Sequence, residues 1–243
     1  MCFAVACATA ACAPAQVVAG QGRPRPKVLL ITGNPGTGKT TLVKTAILEQ
    51  DEQGAIDLQR WRLEKVGVNP QILYHHHSDG RVVVAGAYAF PDTADFPKHR
   101  RGTHPANGGT DVLQPQATGL LAALCAGELA ACEWVVVEGS TRAKVGRPAV
   151  VQAMLDAPCM CVFETVRERD AAVARLRARD HSSDGRKGAR MSASQVHDRY
   201  ASEVAHVRTR LLACAAERGV EVQWVRGSSE ELVECVQRAV AES

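Results

Sequence analysis

The chain has 243 residues, 46% of them apolar, which suits one domain with a buried core rather than a disordered polymer. Lys and Arg outnumber Asp and Glu by only 29 to 26, so bulk charge alone predicts no nucleic-acid partner, and 4% aromatic residues argue against a base-stacking platform. The nine cysteines include no CxxC pair and no metal spacing, so they read as free thiols of a reducing intracellular compartment (cytoplasm, nucleus or viral factory) with no structural zinc.

Residues 1–26, MCFAVACATAACAPAQVVAGQGRPRP, contain no acid and no base before Arg23. They read as a disordered leader ending in the stiff RPRP, with a cleaved targeting segment as the alternative. The stretch is too short and interrupted to span a membrane, and no later segment is suited to it, so no membrane partner is expected. Residues 27–243 read as one domain. The apolar run Lys27–Thr32 predicts the first strand, and a helix follows from about Lys39 to Gln50. A polar, partly helical stretch is expected around Asp57–Lys65. QILYHHH and RVVVAGAYAF flank Ser78-Asp79-Gly80 and predict a β-hairpin. Pro91–Gly109, rich in Pro, Gly, His and basic residues, reads as a long functional loop, and Pro115 opens a helix through QPQATGLLAALCAGEL.

Trp134–Gly139, WVVVEG, is a second wholly apolar strand; the helix RPAVVQAMLDA leads to a third, CMCVFETV. The helix RERDAAVARLRARD and the polar segment DHSSDGRKGAR come next. Ser192 and Gln195 have capping-box spacing for a long helix to about Arg218, with Val196, Tyr200, Val204, Val207 and Leu211 on the helical repeat. Gly219 stops it, VEVQWV makes a last strand, and Ser228 with Glu231 caps a final helix. Apolar strands alternating with helices predict a three-layer α/β sandwich: a mostly parallel sheet covered on both faces, with a hairpin and a short lid added.

Between the first strand and the first helix stands GNPGTGKTT, the pattern GxxxxGK[ST] of phosphate-binding (Walker A) loops. It assigns Gly33, Asn34, Pro35, Gly36, Thr37, Gly38, Lys39, Thr40 and Thr41 to a nucleoside triphosphate. Backbone amides would cradle the phosphates, Lys39 would meet the β/γ-phosphates, and the Thr40 hydroxyl would ligate Mg2+. The following helix adds its N-terminal dipole. The plain alternative is a Gly-rich turn.

Such sheets place ligands at the C-terminal ends of their strands. Glu138 ends WVVVEG, where a carboxylate can orient Mg2+-bound water or accept a proton; the alternative is an acid leaving a strand into solvent. Asp111, in NGGTDVLQP, is a candidate acceptor-site or catalytic carboxylate, or a turn former. Arg175 and Arg179, four apart, share a helix face beside the polar DHSSDGRKGAR lid. They can offset charge on a transferring phosphate, or form a solvated basic face. Between Arg167 and Arg190 eight basic residues stand against four acidic ones, and Lys98, Arg100 and Arg101 form a second cluster. His75, His76 and His77 alternate across a strand, so they cannot share one metal and read as a polar edge strand.

No NKxD guanine motif, no LSGGQ signature and no room for AAA+ accessory parts accompany the loop, which leaves a compact P-loop kinase with a lid. In sequence order, GNPGTGKTT, VVVAGAY, GGTDVLQPQA, WVVVEGSTR and an Arg-rich helix resemble the 5-hydroxymethyluracil DNA kinases across about Val28–Val225. The resemblance implies phosphorylation, by ATP and Mg2+, of a hydroxymethyl group on a modified pyrimidine in DNA. Lys39 and Thr40 would hold ATP·Mg2+, Thr110 and Asp111 would face the acceptor, and Glu138 would be the strand-end carboxylate. Ala87, Val112 and Ser140 stand where the family pattern has Lys, Arg and Asp. Two other expectations stay open: a nucleotide, nucleoside or small-molecule kinase, and a nucleotide-binding module that hydrolyses ATP slowly. ATP against GTP, the acceptor and the oligomeric state are left open.

Overall fold

The computed structural model describes residues 25–66, 72–89, 120, 132–139, 154–182 and 192–241. In chain order these form β1 (Lys27–Gly33), α1 (Lys39–Leu42) running into a π-helical turn (Val43–Ile47), β2 (Trp61–Val66), β3 (Ile72–His77), β4 (Val82–Ala85), β5 (Trp134–Glu138) and β6 (Met160–Thr165). Then follow α2 (Arg169–Ser182), α3 (Ala193–Arg218), β7 (Val222–Gly227) and α4 (Leu232–Ala241). One seven-stranded sheet takes the order β2-β3-β4-β5-β1-β6-β7. From β4 to β7 every neighbouring pair is parallel, while β2-β3 and β3-β4 are antiparallel.

The central strands are apolar at nearly every position because both their faces are covered. On one face Val28, Leu30, Val137 and Val162 pack with Leu120, Met154 and, from α3, Leu211 and Ala215. On the other, Leu29, Ile31, Val136 and Phe163 meet Leu42, Val43 and Ile47, together with Leu232 and Val236 of α4. Each Val, Leu, Ile, Phe or Met among them adds about 1.5–3 kcal/mol when fully enclosed. The arrangement is an α/β fold with helices on both faces of a mostly parallel mixed sheet. No helix among the described residues is long and apolar enough to cross a membrane.

The caps behave as their residues dictate. Gln195 N–H donates to Ser192 Oγ at 3.3 Å and Ser192 N–H to Gln195 Oε1 at 2.8 Å, closing the reciprocal box at the start of α3. Gly219 ends that helix at φ 65°, and Ser228 and Glu231 repeat the reciprocal pattern ahead of α4. The hairpin forms around Ser78–Gly80, with His75 opposite Val84. The long loop Pro91–Gly109, most of the two Pro-started helices and most of the lid lie outside the described residues.

Three expectations need correction. The stretch around Asp57–Lys65 is not helical: after a turn closed by the Trp61 amide on the Asp57 carbonyl, Trp61–Val66 forms β2, with its charged residues on an edge strand. The helix expected through Gln50 stays α-helical only to Leu42; Leu48 N–H then reaches back five residues to Val43 O, and Glu49 takes a left-handed φ of 49°. Finally, the histidines are not on an edge. β2 covers β3, and His75 is 0% exposed.

Burial holds the His75 imidazole down at about 4 against an ordinary 6.5, with the Trp61 carbonyl pulling upward. Between 6.5 and about 4 the unfolded chain gains a proton here that the folded chain refuses. This contribution is therefore complete above the unfolded value and is lost as pH falls through that window. His75→Gln should remove about 3 kcal/mol of acid sensitivity. Unfolding free energy plotted against pH should be flatter for the variant; parallel curves would contradict a buried neutral imidazole.

Candidate functional site

The loop between β1 and α1 sits where three strand ends meet. Ile31 of β1 is in register with Glu138 of β5, and Gly33 with Thr165 of β6. Glycine is required by space as well as by backbone angle. Gly33 has φ 139°, and a Cβ there would lie 2.3 Å from the Thr165 carbonyl oxygen. At Gly36, φ 83°, a Cβ would lie 2.7 Å from the Ala172 carbonyl oxygen, so α2 rests directly on the loop. Thr37 Oγ1 lies 2.8 Å from Asn34 O and 2.7 Å from the Thr165 hydroxyl, which is itself 3.1 Å from Thr32 O; each hydroxyl carries one proton, so the two threonines are linked when one of them donates to the other. These bonds pin the loop to β6.

Lys39 is 8% exposed, and its ammonium donates to Gly33 O at 3.1 Å and Asn34 O at 3.0 Å. The cation thus bridges the carbonyls of its own loop and is set in place before any anion arrives. The Thr40 hydroxyl donates to Glu138 Oε1 at 2.9 Å, while the buried Tyr88 hydroxyl donates to Glu138 Oε2 at 2.7 Å. Glu138, 4% exposed, is therefore no surface acid but an enclosed carboxylate facing the loop. Lys44 feels that charge, although burial dominates and lowers its pKa.

The Thr40 and Glu138 oxygens fit a hard cation. Mg2+ is typically held by one or two protein oxygens with substrate phosphates and water, so this pair suits it when phosphates supply further ligands. Among the described residues no group of three or more His, Cys, Asp or Glu could hold a metal unaided. Among the described residues, Asn34 Oδ1 beside the loop is buried with no hydrogen-bond partner, and the buried Ser229 Oγ would lie 2.6 Å from a Cβ on Gly38.

Arg175, exposed on α2, brings its guanidinium within 3.8 Å of where a side chain on Gly38 would begin. Arg179 lies on the same helix, but its side chain and all of Asp111 and Thr110 fall outside the described residues. So do Lys98, Arg100 and Arg101. Of the basic run after β6, Arg169 makes a two-pronged contact with Asp198 at 2.7 and 2.8 Å, holding that carboxyl down at about 2. Arg167 meets Glu230 at 3.4 Å and Arg226 meets Glu164 at 3.3 Å around a cavity of ≈ 520 Å³ between the loop and α3. Those contacts tie elements together; among the described residues of this run, Arg175 approaches Gly38, while Arg167 and Arg169 line the cavity with Asn34 and Thr37 of the loop.

Sequence reasoning missed Tyr88, Thr165 and Ser229. Each stands just past or at the C-terminal end of a strand, and only the strand order brings these ends to one place. No protein-family model matches this chain, and comparison with curated proteins finds no match.

Proposed function

We propose that this is a P-loop kinase: an ATP- and Mg2+-dependent phosphotransferase whose acceptor is a hydroxyl, the hydroxymethyl group of a modified pyrimidine in DNA. One observation carries the reading. The glycine loop, the buried Lys39 bridging its carbonyls and the Thr40–Glu138 pair lie together at the C-terminal ends of the strands. The parallel order β5-β1-β6, with the loop following the middle strand, supports a P-loop fold. The acceptor assignment rests on the likeness to the 5-hydroxymethyluracil DNA kinases through GGTDVLQPQA and WVVVEGSTR.

In this reaction the acceptor oxygen forms a new bond to the γ-phosphorus as the β–γ bridging bond breaks. The electron pair leaves with the diphosphate, and the acceptor proton passes to a carboxylate, for which Asp111 is the candidate. Mg2+, when bound, neutralises charge on the phosphates. Lys39 meets charge on the β/γ oxygens, Arg175 and Arg179 meet it from α2, and Glu138 fixes Thr40 and the metal-side oxygens.

The test presents the purified chain with γ-labelled ATP and three acceptors: hydroxymethyluracil DNA, the same DNA with thymine, and free nucleotides, nucleosides and metabolites. Label should enter only the first, and binding of that DNA should weaken steeply with added salt. Label entering a free small molecule instead assigns the second class of kinase. Acceptor-independent ATP turnover removes the kinase reading.

A further inference from the structure

His75 lies on β3, away from the phosphate loop, yet the hydrogen bonds around it lead there. Its Nδ1 is 3.2 Å from the Trp61 carbonyl oxygen, which can only accept. Its Nε2 is 2.9 Å from the Tyr88 amide nitrogen and 3.3 Å from that of Ala89, and both N–H groups can only donate. The partners fix the ring as the neutral tautomer with its proton on Nδ1. The ring therefore joins the start of β2 to the segment just past β4. There the chain turns at Gly86, φ 112°, whose N–H still reaches Leu73 O. The imidazole accepts from both the Tyr88 and Ala89 amides.

Tyr88 is 0% exposed and spends its hydroxyl on Glu138 Oε2, which leaves Oε1 to meet Thr40. A continuous chain thus runs Trp61 carbonyl, His75, Tyr88, Glu138, Thr40. Lys44 also feels the charge of this carboxylate. With a hydroxyl on each oxygen the carboxylate has one orientation; without the Tyr88 hydroxyl it loses the bond on Oε2 that opposes the one to Thr40.

We propose that His75 is a positioning residue which, by clamping the backbone at Tyr88, holds the Tyr88 hydroxyl on Glu138 and presets the carboxylate that faces Thr40. The inference rests on the phosphotransferase reading of that site. It asks no titration of His75, only the directional bonding of its two nitrogens. Partners one shell outside a metal-side ligand commonly alter metal affinity by about 10–100-fold.

The experiment measures ATP binding by the full chain with and without Mg2+, for Tyr88→Phe, His75→Leu, His75→Gln and the double variant H75L/Y88F. Tyr88→Phe and His75→Leu should each weaken Mg2+-dependent binding about tenfold while Mg2+-free binding stays within about twofold. The double variant should be no worse than His75→Leu alone, because both changes break one chain. His75→Gln, whose side-chain oxygen can still accept from the Tyr88 amide, should recover most of the loss. In the wild-type chain, ring 15N shifts at neutral pH should report a proton on Nδ1.

Losses that multiply in the double variant, an equal loss with and without Mg2+, or a proton on Nε2 would overturn the clamp. If His75→Leu does not fold, Tyr88→Phe with His75→Gln decides: Mg2+ dependence like wild type in Tyr88→Phe rejects it. Absence of any ATP binding by the wild-type chain sinks the reading of the site and this inference with it. Loss of binding confined to Lys39→Ala, with Tyr88→Phe unaffected, sinks the inference alone.

Discussion

Lys39→Ala is expected to abolish phosphoryl transfer, with a loss of about 3 kcal/mol or more in transition-state stabilisation, or over a hundredfold in rate. The ammonium is enclosed at 8% exposure and held by the Gly33 and Asn34 carbonyls, so it meets incoming phosphate without a search through rotamers. Charge that builds on the β/γ oxygens during transfer finds it already there, which is why the loss should fall on turnover more than on folding. The two carbonyls it leaves lie at the loop, where water can replace the ammonium. Thermal unfolding should therefore shift little while labelled-phosphate transfer disappears. Arginine is a poor substitute, because its planar fork cannot take the place of a compact ammonium between two carbonyls about 3 Å away. Transfer at the wild-type rate by Lys39→Ala would mean that the loop is not where phosphate is handled.

How much of this was legible in the residues depends on whether the cause was local. The run Lys27–Thr32 followed by glycines at fixed spacing is local information, and β1, the loop and the start of α1 lie where it puts them. Glu138 was visible because it ends a wholly apolar strand, and the α3 and α4 caps because Ser and Glu or Gln stand three apart. β2 was not: WRLEKV is short and charged, and it becomes a strand through pairing with residues 72–77. The histidines were not distinguishable either. Three identical neighbours carry no sign of which one will be enclosed; it is His75, whose ring nitrogens meet the Trp61 carbonyl and the Tyr88 amide. Tyr88 was missed for a similar reason. Its role depends on β4 lying beside β5, a fact of strand order that no window of sequence contains. Arg175 and Arg179 shared one expectation; the described side chain of the two, Arg175, stands 3.8 Å from where a side chain on Gly38 would begin.

Glu138→Gln should lower transfer by about a hundredfold or more while leaving the fold intact. The amide keeps the carboxylate's shape, and its oxygen can still accept one of the two hydroxyls that now converge on Glu138, from Thr40 and Tyr88. The other hydroxyl then faces an N–H group and must turn to accept from it. Glu138→Ala is harsher, because both hydroxyls lose their acceptor in an enclosed site at a cost of about 1–3 kcal/mol each where water does not enter. The Gln variant therefore isolates charge, and the Ala variant mixes charge with unmatched polar groups. The role of the charge can then be read from Mg2+ itself. If the carboxylate serves the metal side, raising Mg2+ should restore much of the lost rate in Glu138→Gln, since weakened affinity yields to mass action. If it accepts the acceptor's proton, no concentration of Mg2+ restores the rate, because an amide has no basicity to lend at any occupancy. The 2.9 Å bond to Thr40, the loop's own candidate Mg2+ ligand, favours restoration. Unchanged transfer in Glu138→Gln would exclude both roles and leave the carboxylate as a brace between Tyr88 and the phosphate loop.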